Sequence, residues 1–271
     1  MPDTPDFRSR YGRVALVAGS AVGLGAEWSR QLAAKGLDLV LVDRDEAPLL
    51  ATCEAIRREH GVTATPVVLD LGRADLVAAL SSVLDGREVG LLVYNAALGT
   101  VAPFLDMDPD HMDRMLAVNA RAPMQLARAL APAMVARGRG GIVLLSSMSG
   151  SVGSAQLAVY AATKAFDLVL ADALWAELHG HGIDVLVVQP GSTRTPGWLT
   201  SQCPGDPASG PMVMEPAEVV REALDALGGE ATHLVPGELN RMGAQAILSL
   251  PRRQAIEMMS EITSKLVRND R

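Results

Sequence analysis

Short, continuous apolar runs alternate with longer amphipathic stretches along almost the whole chain. The runs lie at 13–18, 37–42, 64–69, 89–94, 141–146 and 183–189, and a seventh is expected at 232–236. Strands that are apolar at every position are typical of a parallel sheet that is buried on both faces. The intervening stretches have helical periodicity, among them 26–35, 46–60, 109–137 and 155–180. The pattern predicts an α/β fold, a doubly wound parallel sheet of about seven strands with helices on both faces.

The chain is long enough to bury a large core, with 271 residues of which 49% are hydrophobic. We interpret it as one domain, 1–271, that begins with a tail at 1–10. Its only long irregular segment follows the sixth run, and loops of that length are usually functional, so we expect a substrate flap at 192–215. The segment 238–271 is predicted to be a helical extension interrupted near Pro251, whose apolar stripe indicates core or subunit contact rather than a membrane anchor.

Charge and cysteine content narrow the class of partner. A net charge of −7 with no lysine and arginine cluster argues against nucleic acid or an anionic membrane surface as the main partner. No apolar run approaches the ~20 residues of a membrane span, so a small molecule is the expected ligand. Cys53 and Cys203 stand alone, the histidines of "HGH" at 179–181 resemble a helix cap more than a metal site, and nothing before Tyr11 resembles a signal peptide. These features predict a cytoplasmic protein without a metal.

A glycine-rich turn, "AGSAVGLG" at 18–25, follows the first strand and opens the first helix. Gly19 allows the tight turn, Gly23 lets the backbone approach a pyrophosphate, and Gly25 permits close packing of helix on sheet. Asp43 closes the second strand, where a carboxylate can accept hydrogen bonds from an adenosine ribose. Together they predict a dinucleotide site.

The choice between NAD and NADP depends on the charges around that ribose. Asp43 would repel a 2′-phosphate, and Ser20, Ala21 and Val22 bring no cation to hold one, which favours NAD. Arg44 weakens this preference, because it could either cover the adenine ring or reach a phosphate. We therefore expect NAD, with NADP less favoured.

Tyr160 and Lys164, one of three tyrosines and one of three lysines, are four residues apart in "VYAATKAFDLVL". Residues at this spacing share a helix face. Tyrosine has a pKa near ~10, too high for a base at neutral pH, but a nearby ammonium and a cationic nicotinamide would favour the phenolate. The pair therefore suggests an acid/base site.

With these motifs, the chain resembles the single-domain type of the short-chain dehydrogenase/reductase family over roughly 11–237. The family's Thr-Gly-x-x-x-Gly-x-Gly loop is matched except that Ala18 replaces threonine. Its Asn-Asn-Ala-Gly segment is similar to "YNAA" at 94–97, which matches at Asn95 and Ala96 and departs at its two outer positions. The resemblance implies a Rossmann-like fold.

The resemblance also assigns site residues. The family's serine lies 13 residues before its tyrosine, which selects Ser147 over Ser146. Its catalytic positions fall on Asn119, Ser147, Tyr160 and Lys164. Its cofactor-binding positions fall on Gly19, Ser20, Gly23, Leu24, Gly25, Asp43, Arg44, Asp70, Leu71, Asn95, Ala96, Tyr160, Lys164, Pro190, Gly191, Thr193 and Thr195. As in the family, Tyr160 would be the acid and base, Ser147 would orient the substrate oxygen, and Asn119 would hold a water that links Lys164 to solvent.

The function that this resemblance implies is an NAD(P)-dependent oxidoreductase, an alcohol dehydrogenase or ketoreductase, that interconverts a hydrophobic secondary alcohol and its ketone. By analogy with the family, an apolar substrate wall would consist of Leu98, Met148, Val152, Leu157, Trp198, Met212 and Met214. Such a wall suits a steroid-like or fatty acyl-derived molecule.

Two other functions stay open. The alternative from a different class is a non-catalytic NAD(H)-binding redox sensor, which would not need the four catalytic positions. A reductase of enoyl double bonds is disfavoured, because that branch of the family spaces its tyrosine and lysine more widely. The family often forms oligomers through the helices here predicted at 109–137 and 155–180, so we expect a homodimer or homotetramer.

Overall fold

The computed structural model describes residues 7–84, 86–196 and 212–264, and its centre is a parallel sheet of seven strands. The strands are Val14–Ala18 (β1), Asp38–Asp43 (β2), Ala64–Val68 (β3), Val89–Tyr94 (β4), Gly140–Leu145 (β5), Ile183–Val188 (β6) and His233–Leu234 (β7). Their order is β3-β2-β1-β4-β5-β6-β7, and every neighbouring pair is parallel. The doubly wound sheet predicted from the sequence is confirmed.

Helices cover both faces of this sheet. They are Phe7–Tyr11 (α1), Gly23–Ala34 (α2), Glu46–His60 (α3), Leu76–Leu84 (α4), Pro109–Leu116 (α5), Ala122–Arg137 (α6), Ala158–Leu178 (α7), Pro216–Ala226 (α8), Glu238–Leu248 (α9) and Arg252–Ser264 (α10). Apolar residues of α2, α3 and α8 pack on one face of the sheet, and those of α4, α6 and α7 pack on the other. Every residue of β4 and β5 is buried, which explains why these strands are apolar at each position.

Two of the predicted segments, the helix at 109–137 and the seventh strand, differ in detail from the structure. The helix expected over 109–137 is divided by a π-helical turn, Ala117–Arg121. The C-terminal helix is interrupted where it was expected, because α9 ends before Pro251 and α10 begins after it. The seventh strand is shorter than expected, with two residues at the edge of the sheet.

The predicted tail at 1–10 is wrong for its last residues, because α1 packs against the sheet. Arg10 donates to both carboxylate oxygens of Asp184, at 2.6 and 2.9 Å, and the Tyr11 hydroxyl donates to the same carboxylate at 2.8 Å. Tyr11 is 1% exposed, and burial raises its pKa, with a further contribution from Asp184. These contacts anchor α1 to the amino-terminal end of β6.

The topology brings the ends of five strands to one edge of the sheet. Because all strands are parallel, the residues that follow β1, β2, β4, β5 and β6 lie at the same carboxyl edge. The winding reverses between β1 and β4, which are neighbours in the sheet, and a crevice opens at such a reversal. No helix among the described residues is long and apolar enough to cross a membrane.

The cluster at α1 predicts a loss of stability on mutation. Asp184→Asn should lower the free energy of unfolding by about 1–3 kcal/mol, because it weakens hydrogen bonds from both Arg10 and the buried Tyr11 hydroxyl. Urea denaturation measures this change. Asp225→Asn, at an exposed position of α8, is the control and should change stability by less than about 0.5 kcal/mol. Equal stability of the two variants would contradict an anchoring role for α1.

Candidate active site

The glycine-rich turn after β1 is held in a conformation that only glycine fits. Gly19 has a φ of +78° and donates its N–H to the Val42 carbonyl at 2.8 Å. The Asn95 side chain donates to the Gly19 carbonyl at 2.8 Å, which ties the turn to the end of β4. A Cβ at Gly25 would lie 1.7 Å from the Gly19 carbonyl oxygen, so α2 approaches the turn more closely than any side chain allows.

The amino terminus of α2 offers free donors to an anion. Val22 precedes the helix without a side-chain cap, and the first turn contains no acidic residue. The first N–H groups of a helix have no partner within it, and those of Gly23, Leu24 and Gly25 lie at this end. Ser20 is buried and its hydroxyl donates to the Val42 carbonyl at 3.3 Å. The arrangement fits a pyrophosphate.

Asp43 lies beside the same turn, at the end of β2. One carboxylate oxygen accepts the Ala21 N–H at 2.9 Å, and the other accepts the Asp45 N–H at 3.2 Å. These bonds hold the carboxylate at the crevice, where lone pairs remain for a ribose. Arg44 is half exposed and lies 3.7 Å from the carboxylate of Asp45.

Asp70 follows β3 and has a partner that the sequence did not indicate. Its carboxylate accepts the Gly72 N–H at 2.9 Å and a guanidinium N–H of Arg114, on α5, at 2.8 Å. The Gly72 N–H, together with Arg114, lowers the pKa of Asp70. Leu71 beside it is 6% exposed. The pair places an anchored carboxylate and a guanidinium along the edge expected for the adenine.

The segment after β4 departs from the family pattern at Tyr94, and the structure shows the consequence. The Tyr94 side chain is 1% exposed, and its hydroxyl donates to the Val118 carbonyl of the π-helical turn at 2.6 Å. Asn95 and Ala96 donate their N–H groups to the Ala18 carbonyl at 3.0 and 2.9 Å. The tyrosine therefore fills the space beneath the site, while the two matching residues hold the glycine turn.

The segment after β6 brings the base of the expected flap over the glycine turn. The Pro190 carbonyl accepts the Met148 N–H at 3.2 Å, and Thr193 pairs with Met214. A Cβ at Gly23 would lie 3.2 Å from Thr195, so this threonine borders the turn. Gly191 packs on the side chain of Asn240 in α9. Residues 197–211 of the flap lie outside the described part of the chain.

Ser147 and Ser146 point to different places although they are adjacent after β5. The Ser146 hydroxyl is buried and donates to the backbone carbonyl of Lys164 at 2.7 Å. The Ser147 oxygen accepts hydrogen bonds from the Ser149 hydroxyl at 2.9 Å and the Ser149 N–H at 3.3 Å. Since Ser147 accepts both, its own O–H remains available to a ligand in the crevice.

Tyr160 and Lys164 lie on α7, but only the lysine is fully buried. The Tyr160 ring is half-buried and borders Gly99, where a Cβ would come within 3.4 Å of it. Lys164 is 2% exposed, and its ammonium donates to the Leu145 carbonyl at 2.5 Å and to the Asp167 carboxylate at 3.2 Å. Asp167 was not singled out from the sequence.

Asn119, in the π-helical turn, bonds through its side chain to two neighbouring segments. Its amide N–H groups donate to the Leu98 carbonyl at 2.7 Å and to the Thr163 hydroxyl at 3.1 Å. Its amide oxygen accepts the Leu98 N–H at 2.7 Å. The side chain therefore joins the loop after β4 to α7, and the expected role of Asn119, holding a water that links Lys164 to solvent, stays a prediction.

The expected apolar wall is only partly open to the crevice. Val152, Leu157 and Met214 are at most 9% exposed, whereas Met212 is 42% exposed and Leu98 and Met148 are intermediate. Trp198 lies outside the described residues.

Comparison with known proteins agrees with this arrangement. The family model described as short chain dehydrogenase matches residues 13–202. A 7beta-hydroxysteroid dehydrogenase from Clostridium sardiniense is 30% identical over 236 residues, which cover 87% of this chain and 90% of that protein. A solved 7beta-hydroxysteroid dehydrogenase structure has a TM-score of 0.87 at 27% identity and covers 94% of this chain and 99% of that one.

A third similar protein bears on the cofactor. A short-chain dehydrogenase from Sphingobium yanoikuyae, solved in complex with NADPH, has a TM-score of 0.75 at 32% identity and covers 96% of this chain and 98% of that one. The chain belongs to the short-chain dehydrogenase family and is an oxidoreductase of that family, whose cofactor is NAD or NADP. The comparisons do not support the preference for NAD drawn from the sequence, since NADP is at least as strong a candidate.

The glycine turn predicts a loss of cofactor binding on a small substitution. Gly25→Ala should weaken NADH and NADPH binding at least about tenfold, because the new methyl group overlaps the Gly19 carbonyl and forces the turn to move. Fluorescence titration measures the affinity. Gly180→Ala is the control, because a Cβ there meets no atom within 4 Å, and it should bind normally. Unchanged binding by Gly25→Ala would contradict this placement of the cofactor.

Proposed function

We propose that the protein interconverts a hydrophobic secondary alcohol and its ketone with a nicotinamide dinucleotide, and that Tyr160 is the general acid and base. The observation that carries this proposal is the position of α7, which holds Tyr160 and Lys164. It is bonded through Lys164 to Leu145 and Ser146, directly before Ser147, at the edge of the sheet that also holds the glycine turn. The nicotinamide, when bound, accepts or supplies the hydride.

The proton is handled by the residues of this chain. In the oxidative direction Tyr160 takes the proton of the substrate hydroxyl, and in the reductive direction it returns the proton to the developing alkoxide. The Lys164 ammonium favours the phenolate that must form. The Ser147 hydroxyl donates to the substrate oxygen, because Ser149 supplies the bonds that Ser147 accepts. Asn119 contributes by holding Leu98 and Thr163 around the site.

The residues present fit either dinucleotide. Gly19, Gly23 and Gly25 leave room for a pyrophosphate at α2, and Asp70 with Arg114 borders the adenine edge. The carboxylate of Asp43 favours a ribose without a phosphate. The half-exposed Arg44 could neutralise a 2′-phosphate, and the NADPH complex of the Sphingobium relative gives weight to that alternative.

We propose a steroid-like molecule as the substrate. The apolar positions Leu98, Met148 and Met212 near the crevice support a hydrophobic substrate, and methionine adapts to varied shapes. The similarity to 7beta-hydroxysteroid dehydrogenases over almost the whole chain supports a polycyclic alcohol in particular.

A homo-oligomer and a cytoplasmic location stay predictions. The oligomer is supported by exposed apolar side chains on α7, which are Phe166, Val169 and Trp175. Analytical ultracentrifugation tests it, and a monomer of 28.5 kDa alone would contradict it.

The proposed acid/base role predicts the effect of removing the Tyr160 hydroxyl. Tyr160→Phe should lower turnover of a hydroxysteroid or ketosteroid by about 10²–10⁴, while NAD(P)H affinity changes only a few fold. NAD(P)H absorbance measures turnover, and fluorescence measures binding. Tyr11→Phe, which removes a hydroxyl at the opposite end of the sheet, should keep turnover.

The outcomes separate the two classes of function. Wild-type binding of NAD(P)H with no turnover of any hydrophobic alcohol or ketone would favour the redox sensor. Wild-type turnover that survives Tyr160→Phe would contradict the role of this tyrosine but leave the enzyme class intact.

The position of Asp43 predicts a change in cofactor preference. Asp43→Asn should raise the ratio of kcat/KM for NADP to that for NAD at least about tenfold, because it removes a negative charge near the ribose 2′ position. The ratio is measured with one substrate and both cofactors. Asp225→Asn, at an exposed position of α8, removes the same charge away from Asp43 and Arg44 and should leave the ratio within about twofold. An unchanged ratio in Asp43→Asn would show that the carboxylate does not face the ribose.

A further inference from the structure

Asp167 is a buried carboxylate in the active site to which neither the family resemblance nor the proposed mechanism gives a role. It lies three residues after Lys164 on α7, and the two residues are 1% and 2% exposed. Its Oδ2 lies 3.2 Å from the Lys164 ammonium nitrogen. Burial of a carboxylate is costly, so its position next to the lysine of an acid/base pair calls for a functional explanation.

The carboxylate helps to determine where the lysine points. An ammonium has three N–H donors, and Lys164 uses one for the Leu145 carbonyl and one for Asp167. The backbone of the lysine is also held, because its carbonyl accepts the Ser146 hydroxyl. Because two of the three N–H groups of the Lys164 ammonium are engaged, the direction of its third N–H is fixed.

Asp167 also brings a negative charge close to the lysine. Burial raises the pKa of Asp167 to about 6, although Lys164 opposes this effect, and the 3.2 Å contact with the ammonium favours the ionised carboxylate. Its Oδ1 is buried and has no hydrogen-bond partner among the described residues, so that oxygen is not offset by a local donor.

Few other titratable groups face this pair. Tyr94 on β4 feels the charge of Asp167, which adds to the effect of burial in raising the pKa of Tyr94. His111 on α5 bonds to Thr100, next to the glycine that borders the Tyr160 ring. The lysine is the charged group that acts on Asp167 itself.

We propose that Asp167 is a positioning residue, which holds the Lys164 ammonium in place and offsets part of its charge, and thereby sets the pH at which Tyr160 ionises. The catalytic role that this proposal gives to Asp167 rests on the proposed function. The electrostatic effect of Asp167 on Tyr160 can be tested without measuring turnover.

The sign of the effect follows from the charges. With Asp167 ionised, the positive field of Lys164 at the phenol is reduced, and the carboxylate itself disfavours a second anion nearby. Asp167→Asn removes the negative charge and keeps an oxygen that accepts from the ammonium, so Lys164 stays charged. The phenolate of Tyr160 should then form at lower pH.

The direct test is an ultraviolet titration of the phenolate in the cofactor-free protein. The chain has three tyrosines, and burial raises the pKa of both Tyr11 and Tyr94. The phenolate step that is absent in Tyr160→Phe is the one that belongs to Tyr160. In Asp167→Asn we expect this step to move to lower pH by about 0.5–1.5 units.

A control variant distinguishes a specific effect of Asp167 on Tyr160 from a general disturbance of the fold. Asp38→Asn breaks another ion pair, with Arg13, at the start of β2 on the opposite edge of the sheet, and it should not move the step. Asp167→Asn should fold, because asparagine has the size and shape of aspartate and keeps an oxygen that can accept from the Lys164 ammonium. If it does not fold, Asp167→Ser removes the same charge and must shift the step in the same direction.

The pH profile of turnover gives the second readout. Its acidic limb in the oxidative direction should move to lower pH by the same amount as the phenolate step. An unmoved step, or one moved to higher pH, would overturn the inference even if turnover fell. A shifted step in a protein that turns over no alcohol or ketone would support the coupling and refute the proposed function.

Discussion

The burial of the Lys164 ammonium is the constraint on which the carboxyl edge of the sheet depends. A charge with 2% exposure needs acceptors, and the chain supplies the Leu145 carbonyl at the end of β5 and the Asp167 carboxylate. The Ser146 hydroxyl adds a second link between β5 and α7 through the lysine carbonyl. These bonds fix the position of α7 relative to the carboxyl end of β5. They thereby fix the position of Tyr160 relative to Ser147.

The same edge is completed by contacts between strand ends that are remote in sequence. Asn95 after β4 holds the glycine turn after β1, and Asn119 holds the loop that carries Leu98. The fold therefore assembles the cofactor side and the proton-transfer side from separate connections on one rigid sheet. Each half depends on a side-chain amide that bonds to backbone groups.

The sheet was predictable because strands buried on both faces need apolar residues at every position, and β4 and β5 are such strands. The pairing of Tyr160 with Lys164 was visible because four residues make about one helical turn. Ser147 could be separated from Ser146 only through the family spacing, and the structure adds that the Ser146 hydroxyl bonds to the Lys164 carbonyl.

Other contacts carried no sequence signal. Arg114 and Asp70 are 44 residues apart, and Arg10 and Asp184 are 174 apart, so only the folded sheet brings them together. Asp167 has a local spacing to Lys164, but an acidic residue three positions after a lysine is common on exposed helices. Its burial distinguishes it, and burial at this position depends on how α7 packs on the sheet.

The central claim is that this edge of the sheet interconverts a ketone and its alcohol by hydride transfer rather than only binding a dinucleotide. It is tested most directly by incubating the protein with a ketosteroid and NAD(P)H deuterated at the reactive carbon of the nicotinamide, and analysing the product by mass spectrometry. The account predicts an alcohol that carries deuterium on its carbinol carbon. Cofactor binding without any deuterated alcohol, across ketosteroids and other hydrophobic ketones, would contradict it.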